Sequence, residues 1–126
     1  MADAKEVTIS LLSSTTVSFA VDADTLLYTV PSGKRLVLSH AVLIAADDAG
    51  ASTTLSIGQT GATADFLAAN TLSNLDAQYD TVVVRPIPNT TPLKSKSYAA
   101  AAVIYATVAS QSGAAGNTVM LFGTLY

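Results

Sequence analysis

His40 is the single histidine of the chain, and the cysteines number zero. General acid–base catalysis usually rests on a histidine or on two carboxylates held close enough to shift each other's pKa. His40 sits instead among leucines, valines and alanines, in Leu36 to Ile44, where it reads as a hydrogen-bonded structural imidazole. Serines are plentiful, but no Gly-x-Ser-x-Gly nucleophile elbow occurs. The pairs Asp22/Asp24 and Asp47/Asp48 would suit a hard cation. An EF-hand loop, however, ends its ligand series in Glu, and Glu6 is the sole glutamate. These aspartates read as turn residues bonding their own backbone. Gly58-x-x-Gly61 is not followed by the Lys-Ser/Thr of a phosphate loop and reads as a β-turn. Without cysteine there is no disulfide, thiolate metal site or cysteine nucleophile. No catalytic, cofactor-binding or metal-ligating residue is therefore expected, and no enzyme.

Binding chemistry is as sparse. Arg85, Lys94 and Lys96 flank Pro86, Pro88 and Pro92, too few cations for a phosphate-reading surface, and the net charge is −3. Nucleic acid is not an expected partner. Asn89-Thr90-Thr91 is a formal glycosylation sequon without a secretion signal before it and with Pro92 directly after it. The chain has no Trp and only five Tyr, which disfavours a carbohydrate-binding module. If one were present, Tyr79 or Tyr98 would be its stacking platform.

Charged residues make up 12% of the 126, about half the usual share. A surface so short of charge either exposes Ala, Thr and Ser widely or is covered by another protein, as in obligate interfaces. The uncharged stretch from Ser97 to Tyr126 is the natural place for such an interface, or else forms two central strands. Its apolar part, Tyr98 to Ala109, falls short of the roughly 20 residues of a membrane helix, so no membrane is expected. Met1 to Glu6 is polar and mixed in charge, unlike a secretory signal, which points to a cytoplasmic product.

The elements that must position these residues are short. Turn signals fall about every ten residues, the spacing of a β-sandwich or barrel, and the segments between them are rich in β-branched residues. A chain of this length makes one domain, 1–126. Strand periodicity is expected over Thr16 to Val21, with Val17, Phe19 and Val21 inward. It is expected again over Thr25 to Val30, ended by a type I turn with Pro31 second and Gly33 fourth. Arg35 to Ile44 is the central-strand candidate, with Leu36, Leu38, His40, Val42 and Ile44 on one face. Thr53, Leu55 and Ile57 alternate, and Thr81 to Arg85 is strand-like. Ala64 to Asn70 reads as a short helical turn capped by Asp65. Four alanines from Ala99 favour helix, but Val103 to Val108 favour strand. The strand reading pairs Tyr98 to Ala109 with Asn117 to Tyr126 in a final hairpin.

The order of these signals is familiar. A Pro-Ser-Gly-Lys-Arg turn leads into Leu36-Val-Leu-Ser-His-Ala-Val-Leu43. Leu55-Ser-Ile-Gly58, Ala64-Asp-Phe-Leu67, a turn at Leu72 and Leu75, and a closing Val119-Met-Leu-Phe-Gly-Thr-Leu-Tyr126 follow. Over roughly residues 28–126 this resembles the small β-sandwich virion proteins of tailed bacteriophages, most of all those that decorate or cement the head. The resemblance implies an all-β, single-domain, jelly-roll-like sandwich of about eight short strands. It also implies a homo-oligomer, often a trimer, bound to the shell of major capsid protein on the virion surface after synthesis in the host cytoplasm. Residues 1–6 would then be a flexible N-terminal arm reaching onto the shell. A head fibre base or tail protein is the neighbouring alternative.

Overall fold

The computed structural model describes residues 9–50, 52–85, 97–110 and 116–126. Within them lie nine strands: β1 (Ser10–Val17), β2 (Ala23–Thr29), β3 (Leu36–Ile44), β4 (Thr54–Gln59), β5 (Ala62–Thr71), β6 (Thr81–Val84), β7 (Ser97–Tyr98), β8 (Val103–Ala109) and β9 (Asn117–Leu125). No helix is present among the described residues, so none there is long and apolar enough to cross a membrane.

The strands form two antiparallel sheets. One has the order β1-β9-β3-β6, with the two-residue β7 also pairing with β3; the other has the order β2-β8-β4-β5. Consecutive strands alternate between the sheets from β1 to β4, and the chain closes by sending β8 and β9 to opposite sheets. Setting β7 aside, this is the eight-stranded jelly-roll order, two interlocked Greek keys packed face to face. The all-β sandwich expected from turn spacing is the fold.

Between the sheets the inward side chains make one core. Leu36, Leu38, Leu43, Val119 and Leu121 come from the first sheet, and Leu27, Leu55, Ile57, Ile104 and Val108 from the second. Each such aliphatic side chain contributes on the order of 1.5–3 kcal/mol by leaving water. Phe19, Tyr98 and Leu75 plug the corners.

The strand alternation of β9 is as the sequence suggests: Val119, Leu121 and Gly123 are buried while Met120, Phe122 and Thr124 are half-buried. In β3 it breaks. Pairing to β9 shifts register between Leu38 and His40, a β-bulge at Ser39. The bulge adds one residue and so reverses the parity of everything after it. Leu36 and Leu38 face the core, and so do Ala41 and Leu43, while His40, Val42 and Ile44 turn to the outer face. The single-face expectation of five alternating residues is corrected accordingly, although β3 is central, flanked by β9 and by β6 and β7.

Four further expectations are corrected. The strand expected at Thr16 to Val21 ends at Val17, and Ser10–Val17 is the strand, since its serines and threonines satisfy their backbone against β9. Phe19 is buried at the corner beyond it, while Val21 is exposed. Ala64 to Asn70 is strand, because β5 bulges widely against β4 between Ile57 and Gln59; pairing overrides the local helical preference. The Pro31 turn is closed by Lys34 N–H to the Pro31 carbonyl at 3.2 Å. That makes Gly33, at φ +76°, the third residue of a type II turn. Finally, β8 and β9 are not a hairpin: both are central strands, one in each sheet. The alanines from Ala99 make a turn with Ala101 at φ +68°, bonded to both backbone groups of Val30.

Candidate functional surface

The outer face of the first sheet is built by the strands just described, and register fixes its rows. Leu11, Phe122 and His40 lie side by side across β1, β9 and β3. Two residues along β9 come Ser14, Met120, Val42 and Val83, and beyond them Thr16, Thr118, Ile44 and Thr81. Toward the other end Val37 lies between Thr124 and Ser97. No Asp, Glu, Lys or Arg occupies any of these positions. Leu11 and Val83 are 50% and 55% exposed, so the face is wet at its edges and apolar at its middle. Hydroxyl side chains (Ser14, Thr16, Thr118, Thr81, Thr124 and Ser97) are interspersed with the apolar ones, so the face is uncharged rather than wholly apolar.

His40 is at the centre of that face. Its ring stacks on Phe122, centroids 4.7 Å apart and planes 8° from parallel, and its Nδ1 lies 2.9 Å from Ser39 Oγ. Among the described residues no carboxylate is bonded to the ring, and the imidazole serves as a flat, aromatic part of the surface. At the rim Arg35 Nη2 donates to Ser97 Oγ at 3.4 Å, and Ser97 Oγ is 3.3 Å from the Tyr126 hydroxyl. The hydrogen bonds from Ser97 and Arg35 hold the Tyr126 phenol below its ordinary pKa.

Of the acidic pairs, Asp47 and Asp48 do what turn aspartates do, whereas Asp24, expected to bond its own backbone, lies in β2 and bonds across to β8. Asp24 Oδ1 accepts from Thr107 Oγ1 at 2.8 Å. Asp47 Oδ1 takes the Asp48 N–H and Asp48 Oδ1 the Gly50 N–H, each at 2.8 Å. Asp80 Oδ2 accepts the N–H groups of Asp76 and Ala77, and its hydrogen bond with the Asp76 side chain, together with its charge, pushes the Asp76 carboxyl up. Among the described residues no group of three or more His, Asp or Glu side chains could hold a metal ion. Gly58 and Gly61 frame the β4–β5 hairpin. Gly61 takes φ +79°, and Gly58 lets the β5 backbone pass over it, because a Cβ there would lie 2.2 Å from the Ala62 carbonyl oxygen.

Of the two tyrosines considered for sugar stacking, Tyr98 is buried and Tyr79 is 76% exposed. Tyr79 sits at φ +70°, held by its N–H to the Ala45 carbonyl at 2.8 Å. At the β5 and β6 edges of the sandwich a slot of ≈330 Å³ opens between the sheets, lined by Leu67, Leu72, Leu75, Val82 and Val84 with Asn70 and Asn74 at its mouth. The polar arm 1–6, Lys94, Lys96, the prolines from Pro86 to Pro92 and the Asn89 sequon lie outside the described residues.

No family model, curated protein or solved structure matches the chain. The functional reading therefore rests on the surface itself.

Sequence reasoning placed His40 in an apolar strand but aimed it at the wrong face. It missed the paired rows altogether, because Leu11, Phe122 and Val83 are distant in sequence and only register makes them neighbours.

Proposed function

We propose that this protein is a structural component of a bacteriophage virion that decorates and stabilises the head by binding the shell of major capsid protein, as a homo-oligomer and without chemistry of its own. The observation that carries the reading is the uncharged outer face of the first sheet. A free monomer gains nothing from four strands of side chains with no charge among them, whereas a subunit of an assembly buries them. Two further points support it. The order of turn and strand signals over residues 28–126 resembles that of head decoration proteins, and the jelly-roll order is one that capsid proteins use, among others.

In this role binding energy is the function. Each oligomer presents several identical attachment surfaces, and simultaneous engagement of neighbouring capsid subunits multiplies contacts that are individually weak. The bridge so formed opposes outward pressure on the shell. A position at the head fibre base or in the tail would use the same surface on another virion protein.

The test is co-sedimentation of the purified protein with tailless shells and, separately, with tails of the phage that encodes it. Saturable binding to shells at a fixed ratio to major capsid protein, with greater resistance of the shells to heat, is the expected result. Binding to tails alone moves the protein to the tail, and binding to neither overturns the virion role.

A further inference from the structure

We infer that His40 makes attachment through the outer face of the β1-β9-β3-β6 sheet sensitive to acid: the face is covered while the imidazole is neutral, and protonation of His40 releases it. This names the regulation of the surface given to the shell above and rests on that reading.

Position comes first. His40 is the one histidine of the chain, and histidine is the side chain whose charge ordinarily changes between pH 5 and 8. The bulge at Ser39 turns it away from the core that Leu36 and Leu38 enter. It stands half-buried in the middle of a face whose rows hold no other titratable side chain.

The groups around the ring decide the sign. Toward β9 it meets the Phe122 ring, with centroids 4.7 Å apart, and Leu11 of β1 lies beyond Phe122. On β3 itself Ser39 Oγ is 2.9 Å from Nδ1. Toward β6, Val84 pairs with Ala41, and the next residue, the exposed Arg85, brings a fixed positive charge to the edge of the row that holds His40. Arg35 and the Tyr126 phenol are farther off, joined through Ser97 at the rim. No carboxylate occupies any of these positions.

The stack on Phe122 and the Ser39 contact exist whether the face is open or covered, so they favour neither state, and only what differs between the two can shift the balance. Covering the face removes water. An imidazolium on the open face is hydrated. On the covered face it is left against uncharged side chains without a counter-ion, and repulsion from Arg85 strengthens as water leaves. The neutral ring loses far less. A covered face therefore holds the proton less well than an open one, and by reciprocity protonation weakens the attachment by the same factor. The loss reaches about tenfold in affinity per pH unit for each engaged copy, and simultaneous engagement of several copies multiplies it.

The test is co-sedimentation with shells across pH 8 to 5 for the unmodified protein, His40→Gln and Asp76→Asn. Asp76 is the control: Asp80 pushes its carboxyl up, so acid reaches it early, but it lies in the loop before β6, beyond Thr81. Binding by the unmodified protein and by Asp76→Asn should fall about tenfold or more between pH 8 and pH 5. His40→Gln should give a flat profile, whatever its level at pH 8. Circular dichroism should be the same at both ends of the range, so that the loss is not unfolding. Calorimetry near pH 6, in two buffers of different ionisation enthalpy, adds a readout that needs no variant, and the unmodified protein should release protons as it binds. Binding to shells that does not fall in acid, a fall that His40→Gln keeps in full or Asp76→Asn removes, or binding without proton release overturns the inference and leaves the virion role standing. Acid-sensitive binding to tails alone, lost with His40, supports the inference and moves the partner to the tail. Binding to neither at any pH removes the virion role and this inference with it.

Discussion

The hydroxyl of Tyr98 donates to Asp65 Oδ1 at 2.8 Å, and that bond ties the two sheets together, because Tyr98 belongs to β7 and Asp65 to the bulge of β5. Asp65 also accepts from the Gln59 N–H at 3.3 Å and from Gln59 Nε2 at 3.0 Å. The carboxylate thus organises the turn of β5 over β4 and anchors a buried phenol in the opposite sheet. Tyr98→Phe should lower stability by about 1.5–3 kcal/mol, as for a hydrogen bond to a charged group. Asp65→Ala should cost more, since it also leaves Gln59 without its acceptor. A double-mutant cycle by urea denaturation should return a positive coupling between the two, and additive losses would show that the bond does not link the sheets energetically.

Tyr126 and Tyr98 should ionise in an order set by their surroundings. Tyr126 comes first, held low by Ser97 and Arg35. Tyr98 comes last: burial, then the hydrogen bond and charge of Asp65, push its phenol far above the ordinary value of 10.0. Because folded Tyr98 holds its proton more tightly than the unfolded chain does, its contribution to stability is complete below pH 10 and declines as pH rises above it. Absorbance at 295 nm should show an early step that Tyr126→Phe removes. Denaturation between pH 8 and 11 should show a fall in stability above pH 10 that is smaller in Tyr98→Phe.

Glycine at 58 is required by contact and glycine at 61 by backbone angle, and the two demands differ in size. A Cβ at 58 would lie 2.2 Å from one backbone atom and 2.6 Å from another, whereas at 61 it would meet nothing within 4 Å. Gly61→Ala should cost about 1 kcal/mol, the penalty of a left-handed alanine. Gly58→Ala should cost at least about 3 kcal/mol, because the hairpin backbone itself must move. Equal losses in thermal unfolding would mean that β5 does not cross Gly58 closely.

What could be read from sequence, and what could not, divides along the range of the interactions. Alternation in β9 and the clustering of Val82, Val83 and Val84 are local, and they were legible as strands. Asp47 and Asp48 bond backbone N–H groups within two residues of themselves, and their role was legible too, whereas the bond between Asp24 in β2 and Thr107 in β8 spans the sheet and leaves no local trace. The bulge at Ser39 leaves no local trace, since it exists only as a mismatch between β3 and β9, yet it decides that His40 faces outward. Asp65 reads locally as a helix cap, and only the bond to Tyr98 and the crossing over Gly58 turn it into a bulge anchor. The strand at Ser13 and Ser14 escapes a local reading because serine is a weak strand signal, and only pairing with Leu121 and Met120 makes it one. The outer face was invisible for the same reason: its rows are assembled from four strands by register.

Asn117 offers the sharpest test of the corner where β1 ends and β9 begins. Its side chain is buried, and its Oδ1 accepts the Ala46 N–H at 2.9 Å while its Nδ2 donates to the Val17 carbonyl at 3.2 Å. One amide thereby satisfies backbone groups of two other segments, which no apolar side chain can do. Asn117→Ala should cost about 2–4 kcal/mol, the penalty of two buried backbone groups left unpaired. Asn117→Asp keeps the acceptor and loses the donor, and burial would raise the new carboxyl's folded pKa above its unfolded value near 3.9. The folded state would then bind the proton more tightly, so this variant should be most stable at low pH and lose stability as pH rises through about 4 and beyond. Urea denaturation of both variants at pH 4 and pH 7 checks the sign. If Asn117→Asp gained stability between those two values relative to the unmodified protein, the corner would be open to water and the amide would not be the clasp its contacts describe.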